Sequence, residues 1–574
     1  MVSTLLSTIF LQIALLCSSR TSIDLAIPLS QAAGFQIAGS DANDYFGYAV
    51  SSAGDINNDG IDDIIVGAPE YGPINYGGVY VIYGKPNGLN VNIDLSAGTI
   101  SFADGFLILP HISGGSLGVS VSSAGDFNKD GIDDIIVGDS LADHSAGVNS
   151  GAAYVIYGKP SRNSNIDLNV GLSPSDGFRI CGMAAGNELG FSVSHAGDFN
   201  KDGVDDVIVG ATKANTLSSI SAGEAYLIYG KVGGFQAHLD LSPSFDTFQG
   251  LRIGGKTSGE AFGYSVSFAG DINDDGIDDI IIGAPEGLPT GGAIGLGYVV
   301  YGKHGGYGSH MDLAAYFPFS YGFQVLGKGV ENSNLGYSVG PAGDFNGDGF
   351  DDFIIGDFTG QPLLGRMTAG VAYVIYGKNG NFLTNIDLNI GLTVSQGMKI
   401  YGGANNDGLG CYVNSAGDFN NDGVNDIIIG ALQATRFGRA NAGAAYVIYG
   451  KSGGFSGDID LNLSLTNTIG FEISGRVIDA SLGCSVASAG DLNNDEIADI
   501  IIGAQSAPNS ELTSAGAAYV VYSPFSFNCI SFAGSKCLAC ANGYLLYLGN
   551  NNCYFKDSCL MEHLQPQHSA FKKS

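Results

Sequence analysis

Short apolar runs rich in Ile, Val and Tyr recur along the chain, and the segments between them lack the 3.6-residue periodicity of amphipathic helices. Each unit carries a GFxIxG-type run, a run such as LGFSVSHAG at 189–197, a run such as VIVGA, and a closing run such as EAYLIYGK at 224–231. Runs of this length and composition predict four β-strands in each unit. We expect each set of four to form one small antiparallel sheet.

An acidic nonapeptide interrupts every unit between its second and third apolar runs. The first copy, DINNDGIDD, spans 55–63, and successive copies start 71 to 74 residues apart. A constant interval predicts a repeat architecture with one copy in each structural unit. The other six copies start at Asp126, Asp198, Asp271, Asp344, Asp418 and Asp491.

The apolar runs also predict how the sheets pack. Runs such as VYVIY at 79–83 carry bulky residues on both faces, so each sheet needs a neighbour on each side. Seven sheets arranged around an axis satisfy this requirement, which predicts an all-β, seven-bladed β-propeller with four-stranded antiparallel blades. The GFQIAG run at 34–39 precedes the first loop and has no unit of its own, so we expect this N-terminal strand to complete the last blade.

The nonapeptides have the donor pattern of a calcium loop. Oxygen-bearing side chains occupy positions 1, 3, 5 and 9, position 7 offers a backbone carbonyl, and a glycine at position 6 permits a sharp turn. Calcium takes six to eight oxygens in a flexible shell, which suits these loops better than the tight octahedron of magnesium. The sequence therefore predicts up to seven Ca²⁺ sites. The predicted ligands are Asp55, Asn57, Asp59, Ile61, Asp63; Asp126, Asn128, Asp130, Ile132, Asp134; Asp198, Asn200, Asp202, Val204, Asp206; Asp271, Asn273, Asp275, Ile277, Asp279; Asp344, Asn346, Asp348, Phe350, Asp352; Asp418, Asn420, Asp422, Val424, Asp426; and Asp491, Asn493, Asp495, Ile497, Asp499.

Two alternatives bear on these loops. Asp, Asn and Gly are ordinary turn formers, but a hairpin needs no carboxylates at fixed alternate positions. A helical EF-hand requires Glu at position 12, where the first loop has Val66 and runs into a strand. The seventh loop has Glu496 in place of Gly, so we expect it to be the weakest or most distorted site unless Glu496 adds a ligand.

The net charge of the chain limits the classes of partner that it can bind. The net charge is −32, and 28 of the 56 acidic residues lie in the seven nonapeptides, where they repel one another unless a cation neutralises them. The sequence shows no basic patch, so we expect no nucleic acid and no anionic membrane as a partner.

The two ends of the chain differ from the repeat. Residues 1–19 are predicted to be a secretory signal peptide, with a membrane anchor as the alternative, and no membrane span is expected after cleavage. The propeller is assigned to 20–523, and 524–574 is a small Cys-rich module for which disulfides are favoured over zinc. Asn462 begins the one N-glycosylation sequon. Cys181, Cys411 and Cys484 are predicted to be buried packing residues.

The string FGYSVSFAGDINDDGIDDIIIGAPE at 262–286 resembles the FG-GAP repeat, and the chain from 22 to 523 is similar to the seven-bladed head of integrin α chains. That resemblance implies a propeller that binds an extracellular protein. The chain departs from the family in its Leu residues at several Phe positions and in its full set of seven acidic loops.

The segments that vary between the repeats are the basis for predicting function. The segments at 69–76, 139–150 and 432–442 differ in length and composition on a constant frame, which is where recognition usually lies. We therefore expect a secreted, calcium-binding adhesion or ligand-binding module with a protein or glycan ligand. The alternatives are a secreted hydrolase or lyase acting on polysaccharide or phospholipid, and a purely structural scaffold. No catalytic motif is recognisable in the sequence, so no catalytic residue is assigned.

Overall fold

The structure is a computed structural model. It describes residues 22–523, except 73–75, 90–91, 97–99, 112–114, 145, 242–244, 288–294, 330–332, 363–364, 464 and 510–511, together with the backbone of four short strands between 529 and 555. The predicted signal peptide at 1–19 and the side chains of the Cys-rich tail lie outside the described residues.

Within the described residues all helix and strand elements are β-strands. In chain order they are β1 (Ser22–Asp24), β2 (Gly34–Ala38), β3 (Ala49–Gly54), β4 (Asp63–Ala68), β5 (Gly78–Ile82), β6 (Ile93–Asp94), β7 (Gly105–Leu109), β8 (Ser120–Gly125), β9 (Asp134–Asp139), β10 (Ala152–Ile156), β11 (Ile166–Asp167), β12 (Gly177–Cys181), β13 (Leu189–Gly197), β14 (Asp206–Ala211), β15 (Glu224–Ile228), β16 (His238–Asp240), β17 (Gly250–Gly254), β18 (Ser265–Gly270), β19 (Asp279–Ala284), β20 (Leu296–Val300), β21 (His310–Asp312), β22 (Gly322–Leu326), β23 (Leu335–Gly343), β24 (Asp352–Asp357), β25 (Val371–Ile375), β26 (Ile386–Asp387), β27 (Gly397–Tyr401), β28 (Leu409–Gly417), β29 (Asp426–Ala431), β30 (Ala444–Ile448), β31 (Ile459–Asp460), β32 (Gly470–Ser474), β33 (Leu482–Gly490), β34 (Asp499–Ala504), β35 (Ala517–Val521), β36 (Cys529–Ala533), β37 (Lys536–Cys540), β38 (Tyr544–Tyr547) and β39 (Asn552–Phe555).

Strands β1 to β35 form seven sheets, which are the blades of a propeller and confirm the predicted fold. Each blade has four antiparallel strands, and the innermost strands of neighbouring blades contact one another around the axis. From the inside outward, the blades are β3-β4-β5-β7 (blade 1), β8-β9-β10-β12 (blade 2), β13-β14-β15-β17 (blade 3), β18-β19-β20-β22 (blade 4), β23-β24-β25-β27 (blade 5), β28-β29-β30-β32 (blade 6) and β33-β34-β35-β2 (blade 7).

A fifth strand extends every blade, which refines the prediction of four antiparallel strands. The IDL-type segment of one unit pairs in parallel with the outermost strand of the preceding blade, as β11 does with β7. These strands contain only two or three residues, so hydrophobic periodicity could not reveal them. The blades are therefore five-stranded and mixed, and each connection ties two blades together.

The N-terminal segment closes the ring, as predicted. Strand β2 pairs antiparallel with β35 over five residues and becomes the fourth strand of blade 7. Strand β1 pairs in parallel with β32 of blade 6. One N-terminal segment thus spans the boundary between blades 6 and 7.

The core lies between the blades. Seven clusters of buried apolar side chains each combine residues of two adjacent blades, such as Ile65 and Val81 of blade 1 with Ile135 and Ile156 of blade 2. The second strand of each blade is buried along its whole length because it has a neighbour on both faces. Cys181, Cys411 and Cys484 are buried free thiols, which confirms their assignment as packing residues.

The tail contributes two separate two-stranded antiparallel sheets, β36-β37 and β38-β39. The predicted disulfides of this region lie outside the described residues. Over the described ranges, nothing has the length and apolar character of a membrane-crossing helix.

Candidate functional site

The seven acidic loops connect the first and second strands of the blades and lie together at one end of the propeller, here called the acidic face. In every loop the position-1 carboxylate accepts the backbone N–H groups of positions 5 and 6, as Asp55 does from Asp59 at 2.9 Å and from Gly60 at 2.8 Å. The position-5 carboxylate accepts the N–H of position 7, as Asp59 does from Ile61 at 3.1 Å. The seven loops therefore share one backbone geometry.

The position-9 aspartate is fully buried in all seven loops. One of its oxygens accepts a backbone N–H from the residue two places beyond the closing strand, such as Gly84 at 2.8 Å from Asp63. Burial, with a smaller contribution from the carboxylates of positions 1 and 5, raises the pKa of Asp63 to about 8. The same causes raise the pKa of the six equivalent carboxyls, Asp134, Asp206, Asp279, Asp352, Asp426 and Asp499.

Several loop oxygens are buried without a hydrogen-bond partner among the described residues. They are the side-chain Oδ1 of Asn128, Asn200 and Asn420 at position 3, and Oδ2 of Asp206 at position 9. An unpartnered buried oxygen costs about 1 to 3 kcal/mol, and a cation beside it removes that cost. The donor set of the loops therefore fits a hard, oxygen-seeking ion.

Carboxylates alone do not complete such a site. Across the described ranges, no three His, Cys, Asp or Glu side chains converge into a metal-binding group. The carboxylates of positions 1, 5 and 9 all accept backbone N–H groups, and the position-5 aspartates are exposed. A bound ion consequently needs the amide oxygen of position 3 and a backbone carbonyl in addition to the carboxylates.

Position 8 carries a role that the sequence pattern did not reveal. In six of the seven loops its side chain accepts the backbone N–H of position 1 in the loop of the preceding blade, at 2.7 to 3.2 Å. Gly54 lies against this contact: a Cβ there would come 2.2 Å from Oδ2 of Asp133. The acidic residues at this position are therefore links between blades. The linked pairs are Asp55 with Asp133, Asp126 with Asp205, Asp198 with Asp278, Asp271 with Asp351, Asp344 with Asn425 and Asp491 with Asp62.

The seventh loop keeps the common geometry despite Glu496. Glu496 has φ of 68°, which confirms that position 6 requires the left-handed region. Its N–H still donates to Asp491 Oδ2 at 2.7 Å. The expected strain at this position is thus local to one residue, and the loop is not rearranged.

Comparison with known proteins agrees with this geometry. The model of the FG-GAP repeat matches six segments, 46–82, 117–156, 189–228, 262–300, 412–448 and 485–521. Each segment runs from an inner strand, or the residues leading to it, through an acidic loop to the closing strand of a blade, and the structure supplies the seventh such unit in blade 5. The chain is an FG-GAP repeat β-propeller.

Relatives of the FG-GAP propeller include integrin α chains and a phospholipase D. Integrin alpha pat-2 of Caenorhabditis elegans is 29% identical over 247 residues, covering 43% of this chain and 18% of the relative. Integrin alpha-5 of Xenopus laevis is 29% identical over 257 residues, covering 43% and 21%. Phosphatidylinositol-glycan-specific phospholipase D of Bos taurus is 34% identical over 169 residues, covering 29% and 18%. The chain thus spans about a fifth of the length of these relatives.

The opposite end of the FG-GAP propeller, here called the variable face, carries the segments that differ between units. Several of these segments are fixed by the aspartate of an IDL-type strand. Arg366 donates to Asp460 at 2.6 Å in blade 5, and Arg439 donates to Asp24 at 2.7 Å in blade 6. The IDL aspartate therefore anchors the variable segments. The sequence pattern did not indicate this role.

The segment of blade 6 presents an exposed aromatic ring. Arg436 contacts Asp407 at 2.9 Å and Glu472 at 3.0 Å. Phe437 follows in the left-handed region with φ of 52° and is 65% exposed, with the Arg439 guanidinium 5.1 Å from its ring centroid. Ion pairs on both sides thus hold an apolar side chain in solvent.

Proposed function

We propose that this propeller is a secreted, calcium-binding recognition module that binds an extracellular protein or glycan through its variable face. The observation that carries the proposal is the set of seven fully buried position-9 carboxyls, whose pKa the carboxylates of positions 1 and 5 help to raise. Burying a charge without compensation is costly, and a divalent cation shared with the neighbouring carboxylates offsets that cost.

Positions 1, 3, 5 and 9 and the carbonyl of position 7 would hold the ion. Calcium at such a site would neutralise the carboxylates and fix the acidic loops, which also join adjacent blades. Extracellular calcium modules bind at about 10⁻⁴ to 10⁻³ M, so sites of this kind fill outside the cell. Calcium binding and secretion therefore support each other.

Recognition is assigned to the opposite face. The variable segments are anchored by ion pairs and expose Phe437, whereas the acidic face is repetitive and strongly negative. The similarity to two integrin α chains supports a protein ligand, and a glycan fits the same surface.

A binding assay tests this assignment. The purified chain, in millimolar calcium, is applied to immobilised extracellular-matrix proteins and to a glycan array. We expect Phe437→Ala to weaken capture about tenfold or more, the loss of roughly 1.4 kcal/mol. Lys129→Ala on the acidic face is the matched control and leaves capture unchanged. Equal binding by both variants would refute recognition through the variable face.

The similarity to the phospholipase D favours a second candidate, a hydrolase acting on phospholipid. The matched part covers only 18% of that enzyme. Incubating the purified chain with phosphatidylinositol-glycan substrates distinguishes the two candidates, because a recognition module leaves them intact.

A further inference from the structure

The junction between blades 6 and 7 differs from the others on the acidic face. Asp418 N–H has no carboxylate opposite it, because Ala498 occupies position 8 of the next loop, and its Cβ lies where the other loops have an acceptor. In the other junctions a backbone N–H, such as that of Lys159, donates to the position-2 carbonyl of the preceding loop. Here the hydroxyl of Ser523 donates to the Phe419 carbonyl instead.

The same junction also differs on the variable face. In the junction between blades 5 and 6, buried Asp407 accepts the N–H of Ala404 at 3.0 Å and pairs with Arg436. The equivalent residue between blades 6 and 7 is Ala480, which has no polar side chain to organise the connection at 475–481. The junction therefore lacks the position-8 acceptor on the acidic face and the buried aspartate on the variable face, and other hydrogen bonds take their places.

A cavity of about 510 Å³ opens at this place on the variable face. Its lining consists of two amides, four hydroxyls, one carboxylate and three aliphatic side chains, contributed by blades 6 and 7 and the connection between them. The cavity is shallow and widely open to solvent, so a ligand bound there keeps part of its surface exposed. No basic side chain lines the cavity, and the chain carries a net charge of −32, so an anionic ligand is disfavoured.

The polar side chains of the lining include both hydrogen-bond donors and acceptors. Asn441 Nδ2 donates to Asp479 Oδ1 at 2.9 Å, which orients the amide and leaves its carbonyl oxygen and the second carboxylate oxygen as acceptors. Hydroxyls at Ser481 and Thr513 can donate or accept. Ile478, which is 60% exposed, adds an apolar surface beside them.

We propose that the cavity between blades 6 and 7 binds a neutral carbohydrate. Sugar hydroxyls match the mixed donors and acceptors, and the C–H face of a sugar ring packs on the aliphatic side chains. This inference rests on the proposed recognition function and assigns a ligand class to one place on the variable face.

Titration calorimetry and ligand-observed NMR on the full chain in millimolar calcium test whether the cavity binds a neutral carbohydrate. The probes are methyl glycosides of neutral hexoses and N-acetylhexosamines, a methyl uronate glycoside carrying a free carboxylate, and lysine methyl ester. We expect at least one neutral glycoside to bind. Thr513→Trp fills the cavity and lowers its affinity about tenfold or more, and Asn441→Ala lowers it about five- to tenfold.

Two variants serve as matched controls. Met367 occupies the place of Thr513 in blade 5, and Thr368 occupies that of Asn441. Met367→Trp and Thr368→Ala leave glycoside binding unchanged if the cavity is the site. Thermal melting of each variant checks that the fold is kept.

Several outcomes overturn the inference. They are the absence of glycoside binding, binding that Thr513→Trp does not weaken, and binding of the uronate or the lysine ester alone. If a matrix protein is still captured in those cases, the recognition function stands and only the carbohydrate assignment fails. Loss of both calcium binding and capture would instead refute the proposed function.

Discussion

The junction between blades 6 and 7 and the other six junctions are built from the same repeat but are held in different ways. The other six carry a position-8 side chain that accepts an N–H from the preceding loop. The junction between blades 6 and 7 has Ala498 there, and the N-terminal strands β1 and β2 pair with the blades on its two sides. The comparison indicates that ring closure by a distant strand replaces a local polar link.

The largest effect is expected from the closing strand itself. Ile37 of β2 and Ile108 of β7 occupy equivalent places in blades 7 and 1, and both are fully buried. We expect Ile37→Ala and Ile108→Ala each to lower the free energy of unfolding by about 2 to 5 kcal/mol in urea denaturation. A much smaller loss for Ile37→Ala would show that the N-terminal strand is only loosely attached.

Removing a position-8 side chain that links two blades is expected to have the next largest effect on the free energy of unfolding. Asp133→Ala leaves the N–H of Asp55 without its acceptor, which we expect to cost about 1 to 3 kcal/mol in the same experiment. Asp133→Asn keeps an acceptor, as Asn425 does naturally, and serves as the control. Equal stability of wild type and Asp133→Ala would mean that these links contribute nothing.

Buried carboxyls on the variable face make two of the other junctions sensitive to pH. Burial raises the pKa of Asp139 to about 7, above about 3.9 in the unfolded chain. The folded state therefore holds this proton more tightly, and stability falls as pH rises from about 4 to about 7. We expect Asp139→Asn to reduce that fall and to be more stable than wild type at pH 8 by about 1 to 2 kcal/mol.

Asp357 provides the comparison for this pH effect. Both of its oxygens accept hydrogen bonds, from Ser333 and Asn334, and its pKa rises only to about 6. We expect Asp357→Asn to raise the free energy of unfolding at pH 8 by less than Asp139→Asn does. Melting curves between pH 4 and 8 check both variants, and an identical pH dependence in wild type and Asp139→Asn would contradict the assignment.

The smallest effect is expected from restoring the missing link. Ala498→Asp places an acceptor opposite the N–H of Asp418, and we expect a gain of about 0.5 to 1.5 kcal/mol. Ala498→Ser, whose side chain is too short to reach, is the control. If Ala498→Asp lowers the free energy of unfolding and Ala498→Ser does not, this junction is not arranged like the others.

Much of the fold could be predicted from the sequence because its signals are repeated. Constant spacing indicated seven blades, and the spare GFQIAG run indicated closure by β2. The fifth strand was missed because two residues such as Ile166 and Asp167 show no periodicity, and their partner lies in the preceding blade.

The roles of the acidic-loop residues could be predicted only in part from the sequence. Alternation identified positions 1, 3, 5 and 9, but it assigned no role to Asp62 and its equivalents, whose partners lie in the loop of a neighbouring blade. The weak signal was the repeated pair of acids at positions 8 and 9, broken only at Asn425 and Ala498. The cavity between blades 6 and 7 could not be predicted, since it depends on side chains from three segments that are distant in sequence.

Calcium dependence of thermal unfolding tests the central claim most directly. At millimolar calcium and dissociation constants of about 10⁻⁴ to 10⁻³ M, each site adds about 0.4 to 1.4 kcal/mol, and seven independent sites add about 3 to 10 kcal/mol. We predict that excess chelator lowers the melting temperature by about 3 to 10 degrees, since a chain of this length shifts by about one degree per kcal/mol, and that calcium, but not equimolar magnesium, restores it. An unchanged melting curve in chelator, with no calcium retained by the protein, would contradict the account.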